Sequence, residues 1–155
     1  MAEFSPKFKE ALSLVQKPGR YTGGEPGCVY KDKSRVDVRM AFCFPDTYEI
    51  GMSFLGEKIL YDILNRHENW WCERAFMPWT DMKKQMERLD IPLYCLESKD
   101  PLTDFDIIGF SLEYELAYTN VLAMLRLSGI PLRAADRDER WPLIISGGPC
   151  VCNAE

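Results

Sequence analysis

The sequence predicts an α/β fold: a Rossmann-like or flavodoxin-like parallel sheet of about five strands with flanking helices, preceded by an N-terminal helix. Three observations predict it. Short strand-like runs alternate with stretches of helical period along the chain. The runs at 36–44 and 105–110 are apolar almost throughout, as strands covered on both faces are. Turn-forming residues close the runs, among them Pro45-Asp46 and Gly147-Gly148-Pro149. Strands that alternate with helices pair in parallel through right-handed crossovers.

Each element has its own signal. Residues 3–17 read as a helix with Phe4, Phe8, Ala11, Leu12 and Val15 on one face. The glycines and prolines of KPGRYTGGEPG, residues 17–27, break regular structure. Val36 to Phe44 is the first strand. Met52 to His67 follows as a helix, with Ser53 as its cap and Leu55, Ile59, Leu60, Ile63 and Leu64 as its inward stripe. Trp70 to Met77 is a strand, and Thr80 to Asp90 a short helix with Met82, Met86 and Leu89 inward. Pro92 to Leu96 reads as an edge strand because of its proline. Phe105 to Ser111 suits a central strand. A helix spans 113–128, closed by Gly129 in the left-handed conformation and followed by Pro131. Pro142 to Ser146 is one more buried strand. The organisation expected is a helix and Gly/Pro-rich loop over 1–35, then one α/β domain over 36–155.

Bulk properties narrow the function classes. A chain of 155 residues with 46% hydrophobic and 28% charged residues is one ordinary globular domain. A net charge of −5 argues against a broad nucleic-acid surface, though it leaves room for a local basic patch. No apolar run reaches the roughly 18–20 residues of a membrane helix. The N-terminus is amphipathic and charged rather than a secretory signal, which points to the cytoplasm. The six cysteines are expected reduced. They form no C-x-x-C and no C-x-x-x-C-x-x-C, so local spacing builds neither a zinc nor an iron-sulfur site, and no metal ligand is assigned.

Open parallel sheets bind ligands beyond the carboxyl ends of their strands. Three features fall there. Pro45 to Gly56 contains Asp46, Tyr48, Gly51, Met52 and Ser53. Ser111, Leu112 and Glu113 follow the apolar strand. Gly147, Gly148 and Pro149 follow the last one. Helix N-termini near 53 and 113 would offer unpaired amides, Ser111 a hydroxyl, and the paired glycines a close approach to the backbone. Each also has a plainer reading, as a turn, a helix cap or a strand terminator. His67, the one histidine, reads as a surface helix end. Trp70, Trp71 and Trp79 read first as core and second as a contact face, and Glu113 and Glu115 as a polar rim. No catalytic residue is assigned. RYTGGEPG follows a helix rather than a strand, which argues against a phosphate-binding P-loop.

Asp46-x-Tyr48-x-x-Gly51, Ser111-Leu112 and Gly147-Gly148 resemble, in their order, the cobalamin-binding pattern Asp-x-His-x-x-Gly, Ser-x-Leu, Gly-Gly. The stretches RYTGGEPG, PDTYEIGMS, LGEKILYDILN, IPLYCLES, DFDIIGFSLEYELAYTN and GGP are similar to the N-terminal domain of one family of B12-binding-domain radical SAM proteins, from about Arg20 onward. The resemblance implies a cobalamin-binding module ahead of a radical SAM barrel in the parent chain. That barrel would be the partner, and S-adenosylmethionine and a 4Fe-4S cluster would belong to the missing downstream region. The domain is then expected to be truncated at its C-terminal end and to catalyse nothing alone. Tyr48 stands where the pattern has its cobalt-ligating histidine, so cobalamin would be held base-off with no protein ligand; a neutral phenol is a poor donor to cobalt. Phe54 makes that wall more apolar. The alternative is a degenerate Rossmann-like scaffold without cofactor, serving as a docking or substrate-presenting domain.

Overall fold

In the computed structural model, residues 4–153 are described. Residue 3, where the first helix was expected to begin, and residues 154–155 of the α/β domain lie outside them. Four parallel strands, β1 (Val38–Phe44), β2 (Trp70–Phe76), β3 (Ile107–Ser111) and β4 (Leu143–Gly147), form one sheet in the order β2-β1-β3-β4. The two most apolar runs, β1 and β3, are its central pair, as their composition predicts. The sheet has four strands rather than about five. Pro92 to Leu96 does not join it as a strand: its one ladder contact is an antiparallel bridge from Tyr94 to Pro101. This segment instead lies against β2, where Leu96 N–H donates to the Arg74 carbonyl at 2.7 Å.

Helix α1 (Pro6–Ser13) is started by Ser5, whose hydroxyl accepts from Phe8 N–H at 3.2 Å, with a proline in the first turn. A short helix, α2 (Gly19–Thr22), lies inside the loop predicted to be irregular. After β1 come two helices where one was expected, α3 (Tyr48–Ser53) and α4 (Leu55–Asn65), separated by extended backbone at Phe54. Ser53 therefore ends a helix instead of capping one; its hydroxyl donates to the Ile50 carbonyl at 2.7 Å. Helix α5 (Thr80–Leu89) follows β2 and turns Met82 and Met86 inward. Helix α6 (Tyr118–Leu127) begins five residues later than predicted, after a 3-10 turn at Glu115–Ala117. It ends as expected at Gly129, whose φ is +70°, with Ile130 N–H reaching back to the Leu125 carbonyl.

The two sheet faces are covered unequally. On one, Ala41, Cys43, Ile108 and Phe110 pack with Met82 and Met86 of α5, Met124 and Leu125 of α6, and Phe8 and Ala11 of α1. On the other, Met40, Phe42 and Cys72 meet Tyr61 of α4. Helix α4 packs over β2. The rest of that face is open: Leu143 and Ile145 of β4 are 62% and 44% exposed. β4 was expected to be buried; it is an edge strand with an uncovered face. The predicted stripe of α4 is also reversed. Leu55, Ile59, Leu60 and Ile63 are exposed, Leu64 is only partly buried, and Glu57 and Tyr61 are the buried positions.

Candidate functional site

With the order β2-β1-β3-β4, successive connections leave β1 and β3 in opposite directions across the sheet. The crevice between their carboxyl ends is where such sheets take ligands. The loops after β1, β3 and β4 lie side by side there. Ser111 and Gly147 are register partners. Leu112 N–H donates to the Gly147 carbonyl at 2.7 Å, and Cys150 N–H to the Leu112 carbonyl at 3.1 Å. Ser111 is buried and donates its hydroxyl proton to Glu113 at 2.6 Å. Asn120 of α6 donates to the Pro45 carbonyl at 2.9 Å, which ties the β1 loop to the helix after β3. Pro149 opens a 3-10 turn, Pro149–Asn153.

The paired glycines differ from each other. Gly148 has φ +102°, and a Cβ there would stand 2.4 Å from the Leu112 carbonyl oxygen. Only glycine fits that corner comfortably. Gly147 sits in the strand, and a Cβ there would meet nothing within 4 Å. Backbone strain at Gly147, one reason for its being glycine, is thus absent; the positive φ belongs to its neighbour. Gly147 is free to take a side chain and has none.

The β1 loop divides. Asp46 folds its carboxylate onto its own turn, accepting from Thr47 N–H at 2.6 Å, while its carbonyl accepts from Met77 N–H at 2.9 Å. Tyr48, Gly51 and Met52 lie towards β2. The Tyr48 ring meets Phe76 edge-on, at 5.5 Å between centroids, and its hydroxyl donates to Glu25 at 2.8 Å. Burial, with that hydrogen bond, pushes the phenol well above its ordinary value, so it stays neutral. Gly51 is where Phe76 needs room: a Cβ would come within 2.3 Å of its ring. Met52 Sδ accepts from Arg74 at 3.0 Å. The expected site residues therefore form two groups. Ser111, Leu112, Glu113, Gly147, Gly148 and Pro149 are together, with Asp46 at the adjoining strand end. Tyr48, Gly51 and Met52 lean the other way, and Ser53 is exposed at the end of α3.

That second group borders a buried polar cluster that was not expected from the sequence. Arg74, in the middle of β2, pairs through Nε with Glu97 at 2.7 Å and through Nη2 with Glu25 at 3.1 Å. Nη2 also reaches Cys28 Sγ at 3.0 Å, and the guanidinium lies over the Tyr61 ring at 4.8 Å. Burial alone would lower the arginine, but the charge and hydrogen bond of Glu97 outweigh it and raise it. Burial raises Glu97 despite the opposing pull of Arg74. Glu25 is also drawn up by burial, but hydrogen bonds from Cys28 and Tyr48 hold it below the usual range. Glu57 stands apart: it is 1% exposed, neither carboxylate oxygen has a hydrogen-bond partner among the described residues, and burial pushes it up to about 8. One sequence signal was available. Glu73-Arg74 interrupts the otherwise apolar strand WWCERAF, and buried charges need partners.

Among the described residues, no group of three or more His, Cys, Asp or Glu side chains is placed to hold a metal ion, and no helix is long and apolar enough to cross a membrane. A family profile described as radical SAM proteins, N-terminal, matches residues 56–155. The match takes in the loops after β3 and β4, whereas Asp46, Tyr48, Gly51, Met52 and Ser53 precede it. No curated protein and no solved structure shows a significant match.

Proposed function

The chain belongs to the family of radical SAM protein N-terminal domains, and from that premise we propose that it is a cofactor-binding module of a radical SAM enzyme, with cobalamin as the group it holds. The observation that carries the reading is the convergence of the β1, β3 and β4 loops at the crevice between β1 and β3, with Gly147 open beside it. The residues fit an elongated amide-rich ligand. Ser111 and Glu113 supply a hydroxyl and a carboxylate at the strand ends. Gly147 leaves its side of the crevice unfilled. The open face beside α4, with Leu143 and Ile145 exposed on it, offers apolar contact to a ligand running down the sheet. Asp46, Leu112, Gly148 and Pro149 shape the loops around it. Cobalamin, when bound, supplies organometallic chemistry at cobalt. Tyr48, neutral and engaged by Glu25, would offer cobalt no protein ligand, and the proposed bound form is base-off. The catalytic radical SAM part, with its cluster and S-adenosylmethionine, is the module's partner in the parent chain, and the cytoplasm is its compartment.

The test is an absorbance titration of the whole protein with hydroxocobalamin, repeated with Gly147→Val. Wild type should bind, and the variant should bind at least about tenfold more weakly while keeping its circular dichroism, since valine suits a strand and its Cβ would meet nothing within 4 Å. Equal affinities would remove Gly147 from the site. Electron paramagnetic resonance of the Co(II) form should show no nitrogen superhyperfine splitting; its presence would refute the unligated arrangement.

A second reading has an observation in its favour. Tyr48, Met52 and Phe54 are all occupied by protein partners, Glu25 with Phe76, Arg74 and Phe44 respectively. A scaffold without cofactor would look the same there, and its open apolar faces would serve docking. Failure of the whole protein to bind any corrinoid decides for it.

A further inference from the structure

Away from the strand-end crevice, a cavity of about 300 Å³ opens beneath the Gly/Pro-rich loop, between α4 and β2. Pro26, Val29, Met52 and Tyr61 give it apolar walls, Lys58 and Asp62 stand at α4, and Glu57 and Arg74 complete the lining. Its size is in the range of small-molecule pockets, which combine apolar walls with a few placed polar groups. Glu57 is that placed group. Its side chain is almost wholly removed from solvent, yet neither carboxylate oxygen has a hydrogen-bond partner among the described residues. A buried polar group without a partner is unfavourable by about 1–3 kcal/mol, so an α/β domain has reason to retain one only where something else meets it.

The neighbours say what that something is. Arg74 does not satisfy Glu57, because its guanidinium is committed to Glu97, Glu25 and Cys28, with Met52 on its remaining nitrogen. Its charge is already balanced by two carboxylates. The acidic groups at and around the cavity are Glu57, Glu25, Glu97 and Asp62, and the basic ones Arg74 and Lys58. The excess is negative, and acceptors outnumber free donors. We propose that this cavity binds a small molecule carrying a primary ammonium group on an alkyl chain, with the ammonium on Glu57 and the chain along Val29, Met52 and Tyr61. The site lies on the β2 side of the domain and does not depend on the cobalamin reading.

Ammonium binding needs the ionised carboxylate, whereas burial keeps Glu57 largely protonated at neutral pH. Each binding event at pH 7 should therefore release close to one proton. Titratable groups facing Glu57 are Arg74 and Cys72 from β2, Glu97 from the segment beside it, Lys58 on its own helix and Cys43 on β1. Arg74, Cys43 and Cys72 keep their protonation across neutral pH, because their values are driven upward. Glu97 could also contribute a proton, so the variant arm must separate the two.

The experiment is calorimetric titration of the whole protein at pH 7 with n-butylammonium chloride, with n-butanol and sodium butyrate as comparators. Phosphate and HEPES buffers are used because their ionisation enthalpies differ and neither carries a primary ammonium. The expected result is n-butylammonium binding with a millimolar constant, neither comparator matching it, and a buffer-dependent enthalpy that reports proton release. Glu57→Gln should weaken binding about tenfold or more and abolish the proton release, while a release that survived would belong to Glu97. In the wild type alone, affinity should fall as pH is lowered from 8 to 6, which keeps the test decisive if the variant does not fold. Absence of binding, equal binding of n-butanol, or unchanged affinity in Glu57→Gln would overturn the proposal and leave the cavity to water.

Discussion

Replacing Arg74 with leucine tests whether the polar cluster under the Gly/Pro-rich loop holds the domain together. The pair it breaks is buried on both sides, with side-chain exposures of 8% for Arg74 and 0% for Glu97, and its oxygen and nitrogen are 2.7 Å apart. At an effective dielectric of ~20, that separation corresponds to a gross attraction of about 6 kcal/mol. Desolvation offsets part of this, and removing one partner of a buried pair has a typical net effect of about 3–5 kcal/mol. The effect should depend on pH. Glu97 is raised above its ordinary 4.5 even with Arg74 present. A carboxyl raised in the folded state contributes stability fully below its unfolded value and loses it as pH rises through the folded one. Without Arg74 the folded value moves higher, so the window of loss extends upward at about 1.4 kcal/mol per pH unit. Arg74→Leu should therefore be mildly destabilised at pH 5 and lose about 3–5 kcal/mol at pH 8, a fall in melting temperature of about 6–20 °C for a chain of this length. Urea unfolding followed by tryptophan fluorescence at the two pH values measures it. Adding Glu97→Gln should recover most of the loss at pH 8, since glutamine can still accept from Arg74's backbone position, where Glu97 accepts an N–H at 2.8 Å. A loss under ~1 kcal/mol, or equal losses at both pH values, would refute the buried-charge argument.

Other substitutions probe the remaining features. Gly148→Ala should destabilise by about 1–3 kcal/mol, from its positive φ and the Leu112 carbonyl, whereas Gly147→Ala should lie within about 1 kcal/mol of wild type in the same urea assay. Gly51→Ala should cost about 1–3 kcal/mol by overpacking against Phe76, and Phe76→Leu should relieve it in a double-mutant cycle with coupling of at least about 0.5 kcal/mol. Glu57, raised to about 8, gives full stability below about 4.5 and loses it as pH rises to 8. Glu57→Gln should lack that loss, so its stability relative to wild type should climb between pH 5 and 8; a constant difference would show that Glu57 is not buried and titrating.

The sheet was legible because its cause is local. Val38–Phe44 and Ile107–Ser111 are apolar on both faces, and only central strands need that. The Gly129 cap was legible for the same reason, through one residue's backbone freedom. Coverage was not legible. Leu143-Ile-Ile145 is as apolar as a buried strand, but apolarity does not say whether both faces are covered, and here Ile144 packs on the core while Leu143 and Ile145 are exposed. On α4, Leu55, Ile59, Leu60, Ile63 and Leu64 form the apolar stripe, yet Glu57 and Tyr61 are the buried positions, with Tyr61 lying under the Arg74 guanidinium. A pattern built on hydrophobicity cannot see a helix whose buried face is polar. At the candidate site, the strand-end glycines and Ser111 could be found from their positions after strands. The partners of Tyr48 could not, because Glu25 comes from a loop more than twenty residues away.

The two edges of the sheet are not equivalent. Along β2, the outward amide and carbonyl groups are already engaged. Cys72 N–H donates to the Asn65 side-chain oxygen and its carbonyl accepts from the Asn65 side-chain nitrogen, while Arg74 N–H donates to the Glu97 carboxylate and the Arg74 carbonyl accepts from Leu96 N–H. One side-chain amide, one carboxylate and one backbone amide thus stand in for a neighbouring strand and seal that side. β4 ends the sheet on the other side with its side chains largely in solvent. Unsealed strand edges are templates for further pairing. The sheet therefore has a direction of growth: any strand that extends it, from whatever source, must be laid beside β4 and would come to rest next to Gly147 and the crevice, whereas the Arg74 side is closed to addition.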